Sequence, residues 1–319
     1  MILEADEQSV PVLSVVIPVY RAEKTLHELY RRLITVLETM QLPFELILVE
    51  DSGGDQSWKI IQTISKDDDR VRGINFSRNF GQHAATICGF SVSRGQWVIT
   101  LDDDLEQSPE HIPALYERAL QGADLVYGVY PERSHSHWRN FTSATARWMF
   151  NKAIPSLNYA YTSYRVIRGD VARALSQFDS PYPFVDGYLS WLTNNYATVP
   201  VPHDVRAHGE SNYTFRKLFT HTVNIFVTFS DLPLRMATWL GFIAFILGGS
   251  WLLAIFVSFL TGHVTVSGYA SIMAGILAFG GVQLLVLGIF GEYLGRINFK
   301  SSRKPLYLVR EETGKHGPD

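Results

Sequence analysis

Asp102, Asp103, Asp104 and Glu106 crowd four carboxylates into a stretch of five residues. They follow Trp97–Leu101, an apolar and β-branched run that reads as a buried strand. On extended backbone, alternate side chains point the same way, so Asp102, Asp104 and Glu106 are expected to converge on one point. Converging carboxylates suit a hard cation such as Mg²⁺ or Mn²⁺, which takes a few protein oxygens and adds substrate phosphate. A solvated acidic turn is the plain alternative, and the chain supplies a control. Asp67–Asp69 lies between Lys66 and Arg70 with no strand before it, and reads as a surface loop. Open α/β sheets bind ligands at the carboxyl ends of their strands, which favours the 102–106 segment for chemistry.

The elements that must position this segment are legible upstream of it. Strands are expected at 12–19, 44–49, 71–76 and 97–101, alternating with helices at 25–40, 58–65 and 82–93. Leu26, Leu29, Leu33 and Val36 give the first helix its apolar face. Short links between alternating strands and helices predict a mostly parallel sheet covered on both faces. Further on, helices are expected at 109–121, 139–154, 166–175 and 186–194, with strands at 124–129 and 197–201. The first turn lacks the Gly-x-Gly-x-x-Gly of a dinucleotide fold, which disfavours a nicotinamide enzyme.

The chain has 319 residues and a net charge of −3, so it carries no global basic field and no nucleic-acid partner is expected. Its one cysteine, Cys88, excludes an internal disulfide. Met1–Gln8 is acidic and polar, unlike a signal peptide. Composition changes near Tyr213. Thr214–Phe229 places Phe215, Leu218, Phe219, Val223 and Phe226 at helical spacing beside Arg216 and Lys217, as an interfacial helix would. Met236–Leu260 holds no charged residue and would span about 37 Å as a helix. Ile272–Gly291 is a second uncharged run. Lysine and arginine flank the pair and are missing from 261–271, which predicts both termini and the sheet domain on the cytoplasmic side of an inner (plasma) membrane.

These motifs together resemble the family 2 inverting glycosyltransferases of GT-A fold. Within that family the likeness is to the polyprenyl-phosphate glycosyltransferases, a group that includes dolichyl-phosphate mannose synthase and bacterial undecaprenyl-phosphate sugar transferases. The carriers are V-V-I-P-V-Y (15–20), V-E-D-S-G-G-D (49–55), S-R-N-F-G-Q-H-A-A (77–85), L-D-D-D-L-E (101–106), H-G-E-S-N-Y (208–213), P-L-R (233–235), G-E-Y-L-G-R (291–296) and R-K-P-L-Y (303–307).

The resemblance implies a GT-A domain at 1–213, an amphipathic interfacial segment at 214–235, two transmembrane helices at 236–260 and 272–291 within 236–293, and a cytoplasmic tail at 294–319. It further implies a nucleotide-sugar donor (UDP- or GDP-linked), a polyprenyl-phosphate acceptor, Mg²⁺ or Mn²⁺, a bilayer and a homo-oligomer such as a tetramer. Position by position, Pro18, Tyr20, Val49, Asp51, Asp102, Asp103 and Arg165 would hold the nucleotide sugar. Asp102, Asp104 and Glu106 would hold the metal. Asp104, Arg133, Arg139 and Arg206 would act in transfer, with Arg139, Ser211 and Tyr213 at the acceptor phosphate.

The chain departs from the family pattern in places. Arg21 and Ala22 replace the asparagine and acid of P-x-Y-N-E, and Glu23 is the candidate to replace that acid. Glu106 stands where glutamine is usual, and Asn212 where lysine is. An acid before the S-Y-R segment (163–165) is missing, and Tyr159 stands near its place. A lipid monophosphate, with a second pKa of about 6, is anionic at neutral pH and needs no general base. Two other functions compete: a processive polysaccharide synthase, and a catalytically inactive membrane scaffold. Two spans and the lack of Q-x-x-R-W count against the first; an intact D-x-D-x-E counts against the second.

Overall fold

The computed structural model describes residues 11–130, 161–178, 180, 183–202, 232–261, 268–302 and 304–314. The expected helix at 139–154 and the interfacial segment at 214–229 lie outside them. The described residues divide between two compact units, one carrying the sheet and one carrying two long helices.

In the first unit, β1 (Leu13–Val19), β2 (Phe44–Glu50), β3 (Val71–Phe76) and β4 (Trp97–Thr100) alternate with α1 (Leu26–Thr39), α2 (Ser57–Asp67) and α3 (Gln82–Val92). Then come α4 (Ile112–Leu120), β5 (Leu125–Val129), β6 (Arg165–Arg168), α5 (Gly169–Ala174), α6 (Val185–Leu192) and β7 (Tyr196–Pro200). A final strand, β8 (Val309–Thr313), follows the long helices. The sheet runs β7-β5-β6-β4-β1-β2-β3-β8. Six strands run one way; β6 and β8 oppose their neighbours.

Every residue of β1 is buried, because the strand lies mid-sheet with helices on both sides. Leu13, Val15, Ile17 and Val19 join the core formed with Leu26, Leu29, Leu33 and Leu37 of α1, while Val16 meets α3 at Gly89 on the other face. Period-two alternation thus feeds two separate layers.

Two expectations need correction. Residues 166–175 were expected to be helical throughout, yet Arg165–Arg168 form β6, hydrogen-bonded to β4 and β5 on its two sides. The β-branched Val166 and Ile167 fill a closed slot in the sheet, and tertiary pairing overrides a weak helical pattern. The tail assigned to 294–319 contains β8, which pairs antiparallel with β3. Tyr307 stacks on Phe76 with ring centroids 5.1 Å apart, and Glu311 accepts hydrogen bonds from Trp58 and Gln62 at 2.9 and 3.0 Å.

The second unit holds α7 (Leu232–Leu260) and α8 (Tyr269–Ser301). Among the described residues, one helix, Leu234–Ser258, is long and apolar enough to cross a membrane, and a shorter apolar run, Phe279–Gly295, lies within α8. Leu240, Phe245, Leu247 and Trp251 of α7 are exposed, as are Leu284 and Leu287 of α8. Gly248 lets the two helices approach: a Cβ there would lie 2.6 Å from the Phe279 ring.

Candidate active site

The loops that follow β1, β2 and β4 leave the sheet at its carboxyl edge, because these three strands are parallel neighbours. The chain turns directly after Thr100. Leu105 adopts φ +65° and buries its side chain. The acidic segment is therefore a tight turn anchored by a leucine, and the expected alternation of Asp102, Asp104 and Glu106 along extended backbone does not occur. Among the described residues, no three acids, histidines or cysteines form a ready-made metal cage.

Each aspartate of the turn has its own setting. Asp102 Oδ2 accepts hydrogen bonds from Ser163 Oγ at 2.5 Å and Gln107 Nε2 at 3.0 Å; Oδ1 accepts one from Gln82 Nε2 at 2.6 Å. Asp103 Oδ2 accepts from the Tyr20 backbone N–H at 2.8 Å, and the Asp103 carbonyl accepts from Thr25 Oγ1 at 2.6 Å. Asp104 Oδ1 accepts from the Glu106 N–H at 3.0 Å, closing the turn. Burial pushes the Asp102 carboxyl up to about 6; the Ser163 hydrogen bond opposes this and the charge of Asp104 adds to it. Burial likewise pushes Asp103 up to about 7, against the Tyr20 N–H and with the charges of Asp102 and Asp104. Hard oxygen donors that raise one another's pKa suit a cation that binds one or two carboxylates and takes its other ligands from diphosphate oxygens and water. The residues fit Mg²⁺ or Mn²⁺ in that form.

The neighbouring loops interlock. Pro18 and Val49 are paired in register and buried between β1 and β2. Asp51, at the end of β2, is 3% exposed and accepts the N–H groups of Phe80 at 2.6 Å and Gly81 at 2.8 Å. Gly81 can present its N–H there because it takes φ +94°, a conformation that favours glycine. Burial raises the Asp51 pKa, and the two N–H bonds draw it back. Tyr20 is 44% exposed, with the Arg21 guanidinium 5.2 Å from its ring. Arg21 Nε donates to the Gly53 carbonyl at 3.0 Å. Ala22 is buried in the core, and Glu23 accepts the Gln56 N–H at 3.2 Å. Glu23 is thus engaged with the neighbouring loop at the start of α2, where it stabilises the helix N-terminus.

Arg165 is 3% exposed and forms a buried ion pair with Asp186; its Nε donates to Thr100 Oγ1 at 3.1 Å. Tyr127 donates to the same Asp186 carboxylate at 3.1 Å. The structure therefore places Arg165 inside the β4–β6–α6 packing. Arg133, Arg139, Arg206, Ser211 and Tyr213 lie outside the described residues, as does Tyr159. Gln82, Ser163, Gln107 and Thr25 join the site although sequence reasoning passed over them. Gln82 and Ser163 did carry a signal, since they lie inside the quoted segments 77–85 and 163–165, and Gln107 directly follows L-D-D-D-L-E.

The described loops fall inside residues 14–171, which match the model for glycosyl transferase family 2. An uncharacterized glycosyltransferase of Synechocystis sp. is 32% identical over 308 residues, covering 95% of this chain and 96% of the relative. The chain belongs to glycosyl transferase family 2. An undecaprenyl-phosphate 4-deoxy-4-formamido-L-arabinose transferase of Pseudomonas aeruginosa is 33% identical to this glycosyltransferase over 305 residues, covering 94% of this chain and 90% of that one. Among solved structures, glucosyl-3-phosphoglycerate synthase of Mycobacterium tuberculosis, crystallised with Mn²⁺ and UDP-glucose, gives a TM-score of 0.48 at 19% identity, over 68% of this chain and 77% of that chain. The family match takes in β1 through the start of α5 of this glycosyltransferase, and with it all three loops at the carboxyl edge.

Proposed function

We propose that this glycosyltransferase moves one sugar from a UDP- or GDP-sugar to a polyprenyl phosphate such as undecaprenyl phosphate, inverting the anomeric centre. The observation that carries the reading is the extent of the likeness to the Pseudomonas transferase. It covers 94% of this chain, well beyond the sheet unit and the family match. The apolar helices fit an acceptor whose tail lies in a bilayer.

In the proposed reaction an oxygen of the lipid phosphate attacks the anomeric carbon. The bond from that carbon to the donor diphosphate oxygen breaks, and the nucleoside diphosphate leaves with the electron pair. No proton need move, because the attacking phosphate is already anionic. Pro18, Tyr20, Val49, Asp51, Asp102 and Asp103 are assigned to the nucleotide sugar; Tyr20 is the exposed one, and Asp103 ties the acidic turn to it. Asp104 and Glu106, beside Asp102, would hold Mg²⁺ or Mn²⁺, which supplies charge stabilisation to the departing diphosphate. Arg133, Arg139 and Arg206 are assigned to phosphate recognition, with Ser211 and Tyr213 near the acceptor. Arg165, also assigned to the nucleotide sugar, would act from within its packing against Asp186. Two spans, 236–260 and 272–291, a cytoplasmic catalytic unit and a homo-oligomer complete the proposal.

The test uses the full chain in detergent with Mn²⁺, undecaprenyl phosphate and a panel of radiolabelled UDP- and GDP-sugars. Metal-dependent movement of label from one donor into the organic phase is the expected result. Folded protein that neither transfers from any donor nor binds nucleotide would overturn the reading.

A further inference from the structure

The Asp102 carboxylate is held by three side chains from three separate segments. Gln82 opens α3, Gln107 follows the acidic turn, and Ser163 lies two residues before Arg165. Gln107 is 5% exposed and grips Asp102 twice: Oε1 accepts the Asp102 backbone N–H at 2.9 Å, while Nε2 donates to Oδ2. The same Nε2 donates to Ser163 Oγ at 2.5 Å, and Ser163 Oγ donates onward to Oδ2. This arrangement fixes the amide orientation, because the Asp102 N–H can be met only by an oxygen.

All of these donors are neutral. A guanidinium in their place would orient the carboxylate and also cancel its charge. The nearby cation, Arg165, is hydrogen-bonded to Asp186 and reaches Asp102 only through its charge. Gln82 adds a link: it belongs to the first turn of α3, whose preceding N–H groups hold Asp51.

We infer that Gln82, Ser163 and Gln107 are positioning residues that hold Asp102 in one orientation with its negative charge intact, so that the acidic turn receives a divalent cation together with a diphosphate. The inference rests on the donor-binding reading above. Neutral partners that orient a charged ligand commonly contribute about ten- to a hundredfold in metal affinity or activity.

Mn²⁺ binding to the full chain in detergent, with saturating UDP, is the measurement, read by electron paramagnetic resonance. Ser163→Ala and Gln107→Ala are expected to weaken Mn²⁺ by about tenfold or more. Gln82→Ala is expected to weaken it less, since that donor sits at the exposed side of the turn. The loss of UDP affinity in all three should be larger with Mn²⁺ than without it, and Ser163→Thr should restore Mn²⁺ affinity by restoring the hydroxyl. Wild-type protein that binds neither UDP nor Mn²⁺ would defeat the donor-binding reading itself. Wild-type Mn²⁺ affinity in the folded Ser163→Ala and Gln107→Ala proteins, with loss in Asp104→Asn, would overturn the positioning role alone. If Gln107→Ala fails to fold, Ser163→Ala against Ser163→Thr decides the matter.

Discussion

The chain writes three consecutive aspartates twice, and the two copies are settled in opposite ways. At 67–69, Asp67 ends α2, and Asp68 accepts hydrogen bonds from Arg70 Nε at 2.9 Å, Arg70 Nη2 at 2.8 Å and Tyr30 at 3.0 Å. Burial works against the Asp68 carboxylate, but the arginine prevails and its pKa falls. At 102–104, Asp102 and Asp103 are hydrogen-bonded by amides and a hydroxyl, the charge of Arg165 only partly offsets burial at Asp102, and burial raises both pKa values. A carboxylate with its own arginine is finished as structure. Neutral donors orient a carboxylate without cancelling its charge, and a bound cation would draw the raised pKa values of Asp102 and Asp103 back down.

Breaking the arginine-held class should cost folding, and breaking the neutral-donor class should cost chemistry. The largest effect is expected at Arg165. Arg165→Met strands Asp186 in the interior and should destabilise the sheet unit by about 3–5 kcal/mol, with Arg165→Met/Asp186→Leu recovering much of it. Chemical unfolding followed by tryptophan fluorescence reads both.

Asp104→Asn should lower sugar transfer by about a hundredfold or more while leaving the unfolding midpoint near that of the wild type. A folded variant with normal turnover would dissolve the contrast. Asp68→Ala should do the reverse, destabilising by about 1–3 kcal/mol with unchanged turnover per folded molecule.

The smallest effect concerns Glu110, another arginine-held acid. Its hydrogen-bonded pair with Arg32, 2.5 Å apart, holds its pKa at about 2, below the ordinary 4.5. A lowered folded-state pKa contributes stability that is present above about 4.5 and lost as pH falls towards 2. Between pH 5 and pH 2 the melting temperature of the wild type should therefore drop slightly more steeply than that of Glu110→Gln. The pair is partly exposed, so the difference should be small.

The sheet was readable in the sequence wherever burial on both faces leaves an unbroken apolar run, as in β1 to β4. It was unreadable where a strand is short and bounded by arginines, as in R-V-I-R at 165–168. It was equally unreadable at V-R-E-E-T, 309–313, whose charges suit a sheet edge and mask the strand. The acidic turn announced itself because carboxylates at a strand end are a strong local signal. Its geometry did not, because Leu105 turns the backbone by packing against residues far away in sequence. The neutral clamp on Asp102 gathers Gln82, Gln107 and Ser163 from separate segments, and only the fold brings them together.

The late position of β8 has a consequence for biosynthesis. A ribosome makes the partner strand β3 some two hundred residues before β8, with both long apolar helices synthesised in between. Until residue 313 emerges, β3 presents an open edge that could pair with another nascent chain. A fragment halted before the helices would keep that edge permanently and should aggregate as it folds. The sheet unit is completed only after the helices have been made, so whatever first meets those helices during synthesis acts on an unfinished sheet.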